Sequence, residues 1–350
     1  MLISSKYLNR CRLSTLIVII VLCVGIAPSV WADSFNYNVS LRAGYDDNII
    51  NYSDADLDQM DDTSASENKF AIESKDDFII ISKLEAVLKT NIAGHSTHFG
   101  IRGAYYYYQD NDIKRYYKAG GFIKRYLKKG VYLQTSFGYI PDYYYRNSYS
   151  STAGYQEAKF DKITAEVKFS AVLFNSLRGN LYYYYSSKDF IPLFDERDIT
   201  SHSGEIQLIY RPAKLCKVWG SYNYITAKGA GADNVDFRRD TSYDSNLLSL
   251  GLRFYLQGIA SQKFELAGNG SYKIIYFRTI KITNEDRYRI GRTDYRSSFS
   301  FSVKHYMSSK FSIGITFNRI IKTTNLPAED LKAFLEYSSN SYYSILSFAF

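Results

Sequence analysis

Long runs in which apolar and polar residues alternate strictly constrain this chain more than any other feature. Phe35, Tyr37, Val39, Leu41, Ala43 and Tyr45 interleave with Asn36, Asn38, Ser40 and Arg42. Ile163, Ala165, Val167, Phe169, Ala171 and Leu173 interleave with Lys162, Thr164, Glu166, Lys168 and Ser170. A period of two sends successive side chains to opposite faces of a β-strand, so each run has one greasy and one wet face. Fourteen such segments are predicted, at 35–45, 77–91, 96–108, 113–127, 131–145, 159–173, 177–187, 201–210, 215–227, 245–257, 262–277, 287–305, 311–320 and 337–350. Most hold 10 to 17 residues. Strands in water-soluble domains average ~5–6 residues, whereas a tilted strand crossing a bilayer needs ~9–11.

The connections alternate in size. Short ones fall at 92–95, 128–130, 174–176, 211–214, 258–261 and 306–310, and longer polar ones at 46–76, 146–158, 188–200, 228–244, 278–286 and 321–336. Outer-membrane barrels have short periplasmic turns and long external loops. A bilayer also forbids unpaired strand edges, so the strands must close. The expected fold is therefore all-β: a closed antiparallel transmembrane β-barrel of about fourteen strands spanning 33–350. Residues 1–32 read as a cleaved signal peptide. Lys6, Arg10 and Arg12 precede an apolar stretch from Leu13 to Ala27, then Pro28 and a small residue, Ala32. Bulky Val21 and Leu22 before Cys23 argue against a lipoprotein. The chain ends on an amphipathic run closing with Phe348 and Phe350, which resembles the C-terminal assembly signal of bacterial outer-membrane proteins. The expected location is the outer membrane of a Gram-negative bacterium. The expected partners are outer-membrane lipid, lipopolysaccharide and the barrel-assembly machinery; the sequence leaves oligomeric state open.

Composition agrees with this reading. Tyrosine occurs 35 times against 5 prolines, and its ring suits both strands and the membrane–water boundary. Beyond the signal only Cys216 is left, so no internal disulfide is expected. The net charge of +8 raises nucleic acid as a partner, but no basic recognition helix is visible and an exported chain seldom meets it.

Taking the more apolar face of each run as the outside leaves the other for the lumen. It carries Arg42, Lys83, Arg102, Lys118, Lys124, Lys162, Lys168, Arg178, Arg253, Lys263, Lys273, Arg296 and Lys304. The acids expected there are Glu85, Glu166, Glu205 and Glu265. On the lipid face an Arg or Lys costs ~2–4 kcal/mol at the midplane, which favours the inward assignment. The register of the strand with Lys118 and Lys124 is ambiguous, because it reads amphipathically either way. Either the bases are salt-bridged wall residues or they focus anions in a positive lumen.

The first long connection is acidic, with Asp46, Asp47, Asp54, Asp56, Asp58, Asp61, Asp62, Glu67, Glu73, Asp76 and Asp77 against Lys69 and Lys75. Asp54, Asp56 and Asp58 begin like a calcium loop, but Gln59 and Ala65 stand where the turn glycine and bidentate glutamate belong. A solvated acidic loop is expected, with no metal site and no cofactor. His95, His98, His202 and His305 have no catalytic spacing, so no enzyme is expected. Tyr105 to Tyr108, Tyr143 to Tyr145 and Tyr182 to Tyr185 read as girdle anchors. Asn325, Pro327, Glu329, Asp330, Leu331, Phe334 and Leu335 fit a short capped helix at the rim or in the mouth.

The stretch R-A-G-Y-D-D-N-I-I-N-Y-S-D-A-D-L-D, Arg42 to Asp58, resembles the first hairpin of a family of outer-membrane β-barrel porins with G-Y-D-D-N-I-type strings. The resemblance implies the barrel class and transfers no functional residue. The leading expectation is a pore for small anionic solutes. The alternative is a non-conducting surface or structural barrel, or a partner in export of an acidic polysaccharide.

Overall fold

The computed structural model describes residues 34–61, 69–150, 152–232, 237, 239–257, 263–279, 281, 286, 288–326 and 329–350. The segment expected to be a signal peptide, residues 1–32, lies outside the described residues. Fourteen antiparallel strands form one closed barrel in which each strand pairs with its neighbours in sequence and β1 pairs with β14. They are β1 (Ser34–Asp46), β2 (Asp77–Ile92), β3 (His95–Tyr108), β4 (Tyr116–Lys128), β5 (Val131–Ser150), β6 (Gly154–Phe174) and β7 (Leu177–Phe190), followed by β8 (Ile199–Ala213), β9 (Cys216–Gly229), β10 (Tyr243–Gln257), β11 (Lys263–Phe277), β12 (Thr293–Tyr306), β13 (Phe311–Asn325) and β14 (Tyr337–Ala349). Among the described residues no helix is long and apolar enough to cross a membrane. Among the described residues two short α-helices lie in connections, α1 (Asp54–Asp61) and α2 (Glu329–Lys332).

Short turns gather at one end of the barrel, the turn end, and long connections at the other, the loop end. In the two-residue turn Ala93-Gly94 both residues are at positive φ (50° and 74°), the hairpin geometry whose twist matches the flanking strands. Directly opposed residues of antiparallel strands share a face, so the ladders settle every orientation. The outward set includes Val39, Leu41, Ile101, Ile123, Phe137, Val167, Leu181, Ile206, Leu250, Phe301 and Ile315, all exposed. Outward Tyr45, Tyr117, Tyr276 and Tyr342 border this band toward the loop end, and Tyr37, Tyr210 and Phe350 toward the turn end.

The seam runs from Asn38 opposite Ala349 to Asp46 opposite Ser341, and Phe350 extends it at the turn end. The Tyr37 amide donates to the Phe350 carbonyl (3.1 Å) and the Phe350 amide to the Tyr37 carbonyl (2.9 Å). Their rings stack with centroids 4.7 Å apart, and Phe348 stacks on Phe311 at 4.8 Å.

Several boundaries differ from the sequence expectation. The expected loop at 146–158 is mostly ladder: β5 and β6 pair out to Ser150 opposite Gly154, with Tyr149 edge-on to Tyr155 at 5.4 Å. The alternation fades there because this hairpin tip has no greasy face to mark. Strand β12 begins at Thr293 instead of 287, and β13 runs on to Asn325. Pro141 and Pro212 sit inside irregularities of the β5–β6 and β8–β9 ladders, where a missing N–H costs least. Next to Pro141, Asp142 takes φ 45° and its amide donates to Asp161 (2.8 Å).

Candidate functional site

Two structures occupy the barrel interior: a basic inner wall, and the first long connection, which folds into the loop-end mouth. The expectation that this connection is merely solvated is corrected. Ile49, Ile50, Tyr52 and Ile72 are buried in one apolar cluster with Ile79 and Ile81 of β2, Tyr108 of β3 and Tyr144 of β5. Leu57, Met60 and Phe70 pack against it, as do Tyr106, Tyr116 and Tyr343 from the wall. Connection residues therefore form a small core with one side of the barrel, on β14 and β2 to β5.

Its acids act as latches. Both oxygens of Asp47 accept from Asn340 of β14, from the amide N–H at 2.7 Å and the side-chain N–H at 2.8 Å. Asp46 accepts from the Asn48 amide (3.0 Å) and the Ser339 hydroxyl (3.2 Å). Asn48 closes a local ring by donating to the Tyr52 carbonyl and accepting from the Tyr52 amide, both 2.8 Å. Buried Asp77 accepts from the amides of Gln109, Asp110 and Asn111 and from the Asn111 side chain. Asn111 in turn accepts from the Glu73 and Ser74 amides, tying the end of the first connection to the second. The hydroxyls of Ser74 and Tyr45 hold the Asp76 carboxyl below the usual carboxylate range. Asp56 pairs with Lys69 (2.9 Å), and it lies in helix α1 where the calcium-loop reading had placed a ligand. Among the described residues no group of three or more His, Cys, Asp and Glu could hold a metal ion.

The tyrosine clusters divide between faces instead of anchoring as units. Tyr105, Tyr107, Tyr183 and Tyr185 point outward, while Tyr106, Tyr108, Tyr182 and Tyr184 point inward. Lys114, between β3 and β4, is buried against Tyr143 and Tyr144, and that burial pushes its ammonium down to about 8. The segment expected to be helical forms only the single turn α2; Leu326 and Leu331 are buried, and Phe334 lies 6.0 Å from the Lys69 ammonium. Pro327 lies outside the described residues. His202 is outward between Tyr183 (2.7 Å) and Tyr185, and His305 is outward, stacked on Phe264. His95 contacts the Tyr126 carbonyl and His98 faces inward opposite Lys124.

Ladder partners put all thirteen bases, Arg42, Lys83, Arg102, Lys118, Lys124, Lys162, Lys168, Arg178, Arg253, Lys263, Lys273, Arg296 and Lys304, on the inner face. Glu85, Glu166, Glu205 and Glu265 share that face. Further inward bases escaped the sequence reading, among them Lys89 of β2 opposite His98, Lys188, Lys217 and Lys322. Lys188 and Lys322 lie just past strand ends drawn too short, and Lys217 opens β9 opposite Arg253. Some charges are paired: Arg253 with Glu265 (3.2 Å), and Lys322 with Asp294 (3.1 Å), which Arg292 also clamps. Others oppose like charge directly, as Lys162 does Lys188, and Arg296 does both Lys273 and Lys322. Like charges directly opposed destabilise a ladder, so stability alone does not account for these rows. A cavity of about 730 Å³ lies on the inner wall, lined by Lys83, Arg102, Lys118, Lys162, Glu85, Glu166 and Tyr184 among others.

The register also arranges these side chains in continuous rows. One runs through Lys124, Gln134, Lys168, Tyr182, Glu205 and Asn223, then Leu247, Lys273, Arg296, Lys322 and Tyr337. The next inward row, two residues along each strand, runs through Tyr126, Tyr132, Ser170, Asn180, Gln207 and Ser221, then Ser249, Ser271, Ser298, Ile320 and Ser339. Each row starts near the turn end of β4 and finishes near the loop end of β14. Rows perpendicular to tilted strands climb as they go round a barrel.

No protein-family model matches the chain, and no curated protein matches it. The resemblance of the first hairpin to G-Y-D-D-N-I-type barrels thus rests on that string alone. Solved structures match in backbone. OmpT, an outer membrane protein of Vibrio cholerae, is 10% identical over 93% of this chain and 99% of its own, with TM-score 0.48. The outer membrane channel DcaP of Acinetobacter baumannii is 11% identical over 91% of this chain and 97% of its own, with TM-score 0.45. An anion-selective porin from Comamonas acidovorans is 9% identical over 91% of this chain and 99% of its own, with TM-score 0.43. These likenesses carry no residue role across.

Proposed function

We propose that this chain is a non-enzymatic outer-membrane pore for small anionic solutes, with the turn end in the periplasm. The observation that carries this reading is the inner face: thirteen bases predicted there and several more, against few acids, on the wall of a closed barrel with an apolar outer band. Low-dielectric walls focus the field of such charges and concentrate anions. Outer-membrane lipid would meet the apolar band. Lipopolysaccharide phosphate would meet outward Arg319, two residues beyond Phe317 toward the loop end. The second reading, a non-conducting surface barrel, is favoured by the apolar core in the mouth.

A salt gradient across a planar bilayer holding the purified protein should give a reversal potential of anion-selective sign. Lys83, Lys118 and Lys162 line the cavity, so their joint replacement by Glu should move that potential toward cation selectivity. Both effects should flatten at 1 M salt, where the Debye length is ~3 Å. Cation preference in the unmodified pore would overturn the reading; absence of any conductance would favour the second one.

Orientation has its own test. In a Cys216→Ser background, cysteines at exposed Asp54, Tyr149 and Asp195 should react with an impermeant thiol reagent on intact cells, and cysteines at Lys129 and Ser309 should not. The reverse pattern would invert the barrel.

A further inference from the structure

From the two adjacent inward rows we infer a binding track for a linear, hydroxyl-rich polyanion: an acidic oligosaccharide lying along the wall. The inference rests on the anion-selective reading above and extends it from small solutes to an oligomer.

Three observations carry it. First, the row's cations stand in two groups. Lys124 and Lys168 lie toward the turn end, and Lys273 and Arg296 toward the loop end, beside Lys322, which pairs with Asp294. Lys168 and Lys273 are five strands apart, which at ~4.8 Å per strand is about 24 Å. A single small anion can occupy one group only, whereas an extended chain bearing repeated charge reaches both.

Second, the neighbouring row is almost wholly hydroxyl and amide. Ser221, Ser249, Ser271 and Ser298 are consecutive in it, and the last two hydroxyls contact each other at 2.7 Å. A serine hydroxyl both donates and accepts, so the row complements a ligand that does the same.

Third, tyrosine rings stand in and beside the cation row at its turn-end half. The Lys168 ammonium lies 4.7 Å from the Tyr182 ring and Lys124 4.1 Å from the Tyr132 ring, and Tyr182 stacks on Tyr184 with the planes 7° apart. Aromatic faces beside cations suit a ring that is apolar on one side and charged at its edge.

The test is isothermal titration of the purified full barrel in detergent micelles, which needs no conduction. Hexagalacturonate should bind at least ~100-fold tighter than monomeric galacturonate, since the second charged contact becomes intramolecular. Maltohexaose, neutral and of equal length, should not bind measurably. Joint replacement of Ser249, Ser271 and Ser298 by Ala should weaken hexagalacturonate about tenfold while leaving linear hexaphosphate unchanged. Joint replacement of Lys273 and Arg296 by Ala should weaken both. Equal affinity for hexamer and monomer would overturn the track, and an unaffected serine variant would overturn its sugar chemistry. A barrel that conducts anions but fails these titrations loses the track and keeps the pore; one that binds the hexamer without conducting loses the pore and keeps the track.

Discussion

Replacing residues 49–72 with a short Gly-Ser linker should raise single-channel conductance several-fold while leaving the barrel closed. The closing ladders explain the second half of that expectation: β1 pairs with β2 and β14 wholly outside the removed segment. The first half follows from what the segment fills. Ile49, Ile50, Tyr52 and Ile72 are buried against inward Ile79, Ile81 and Tyr108, so their volume is taken from the mouth. A finer variant tests the same point without deletion. Ile→Ala in a packed core costs ~2–5 kcal/mol. Ile49→Ser with Ile50→Ser should therefore release the segment while the Asp47–Asn340 latch still tethers its start. Openings to a larger conductance level should become frequent in the double variant and permanent in the linker variant. Unchanged conductance in both would mean that the cluster does not limit flow, and the constriction would have to be sought on the basic wall.

The barrel was legible because its rule is local. Alternation along one strand states which side chains face lipid, and a strand long enough for a bilayer states its own environment. That is why Lys118 and Lys124, ambiguous within their own strand, needed the partner strands: opposite Ala104 and His98 they can only face inward. The mouth was less legible because its rule is not local. The string Gly44-Tyr45-Asp46-Asp47-Asn48-Ile49 reads as a class marker and the start of an acidic loop. In the fold Gly44 passes so close to β14 that a Cβ would lie 2.0 Å from the Tyr342 carbonyl oxygen, and the next residues latch and anchor the segment. Two clues were present. Consecutive Ile49 and Ile50 are out of place in a solvated loop, and Asn340 stands among serines in β14 with no apolar neighbour to explain it. Neither says which wall the loop meets, since that depends on a partner about 290 residues away. The rows that run around the lumen were invisible for the same reason: they exist only once fourteen registers are fixed.

Deleting Phe350 should lower outer-membrane insertion sharply, and Phe348→Asp should lower it further. The seam is where closure is decided, because every other ladder joins strands already adjacent in sequence. Deletion removes both backbone bonds between Phe350 and Tyr37 and the stacked ring 4.7 Å away. What remains of the β1–β14 ladder then ends at Asn38 opposite Ala349. Phe348 contributes at two places. Its backbone lies opposite Val39 and Phe311, its ring stacks on Phe311, and its outward face is 40% exposed toward the apolar band. An aspartate there loses the stacking, worth ~0.5–1.5 kcal/mol beyond its area, and sets a carboxylate on the lipid side. Phe350→Tyr retains ring and backbone and should insert normally, which separates loss of the aromatic terminus from general damage. The readouts are the heat-modifiable fraction on gels and the protein recovered in the outer-membrane fraction. Normal insertion of both the deletion and Phe348→Asp would show that closure does not depend on this terminus.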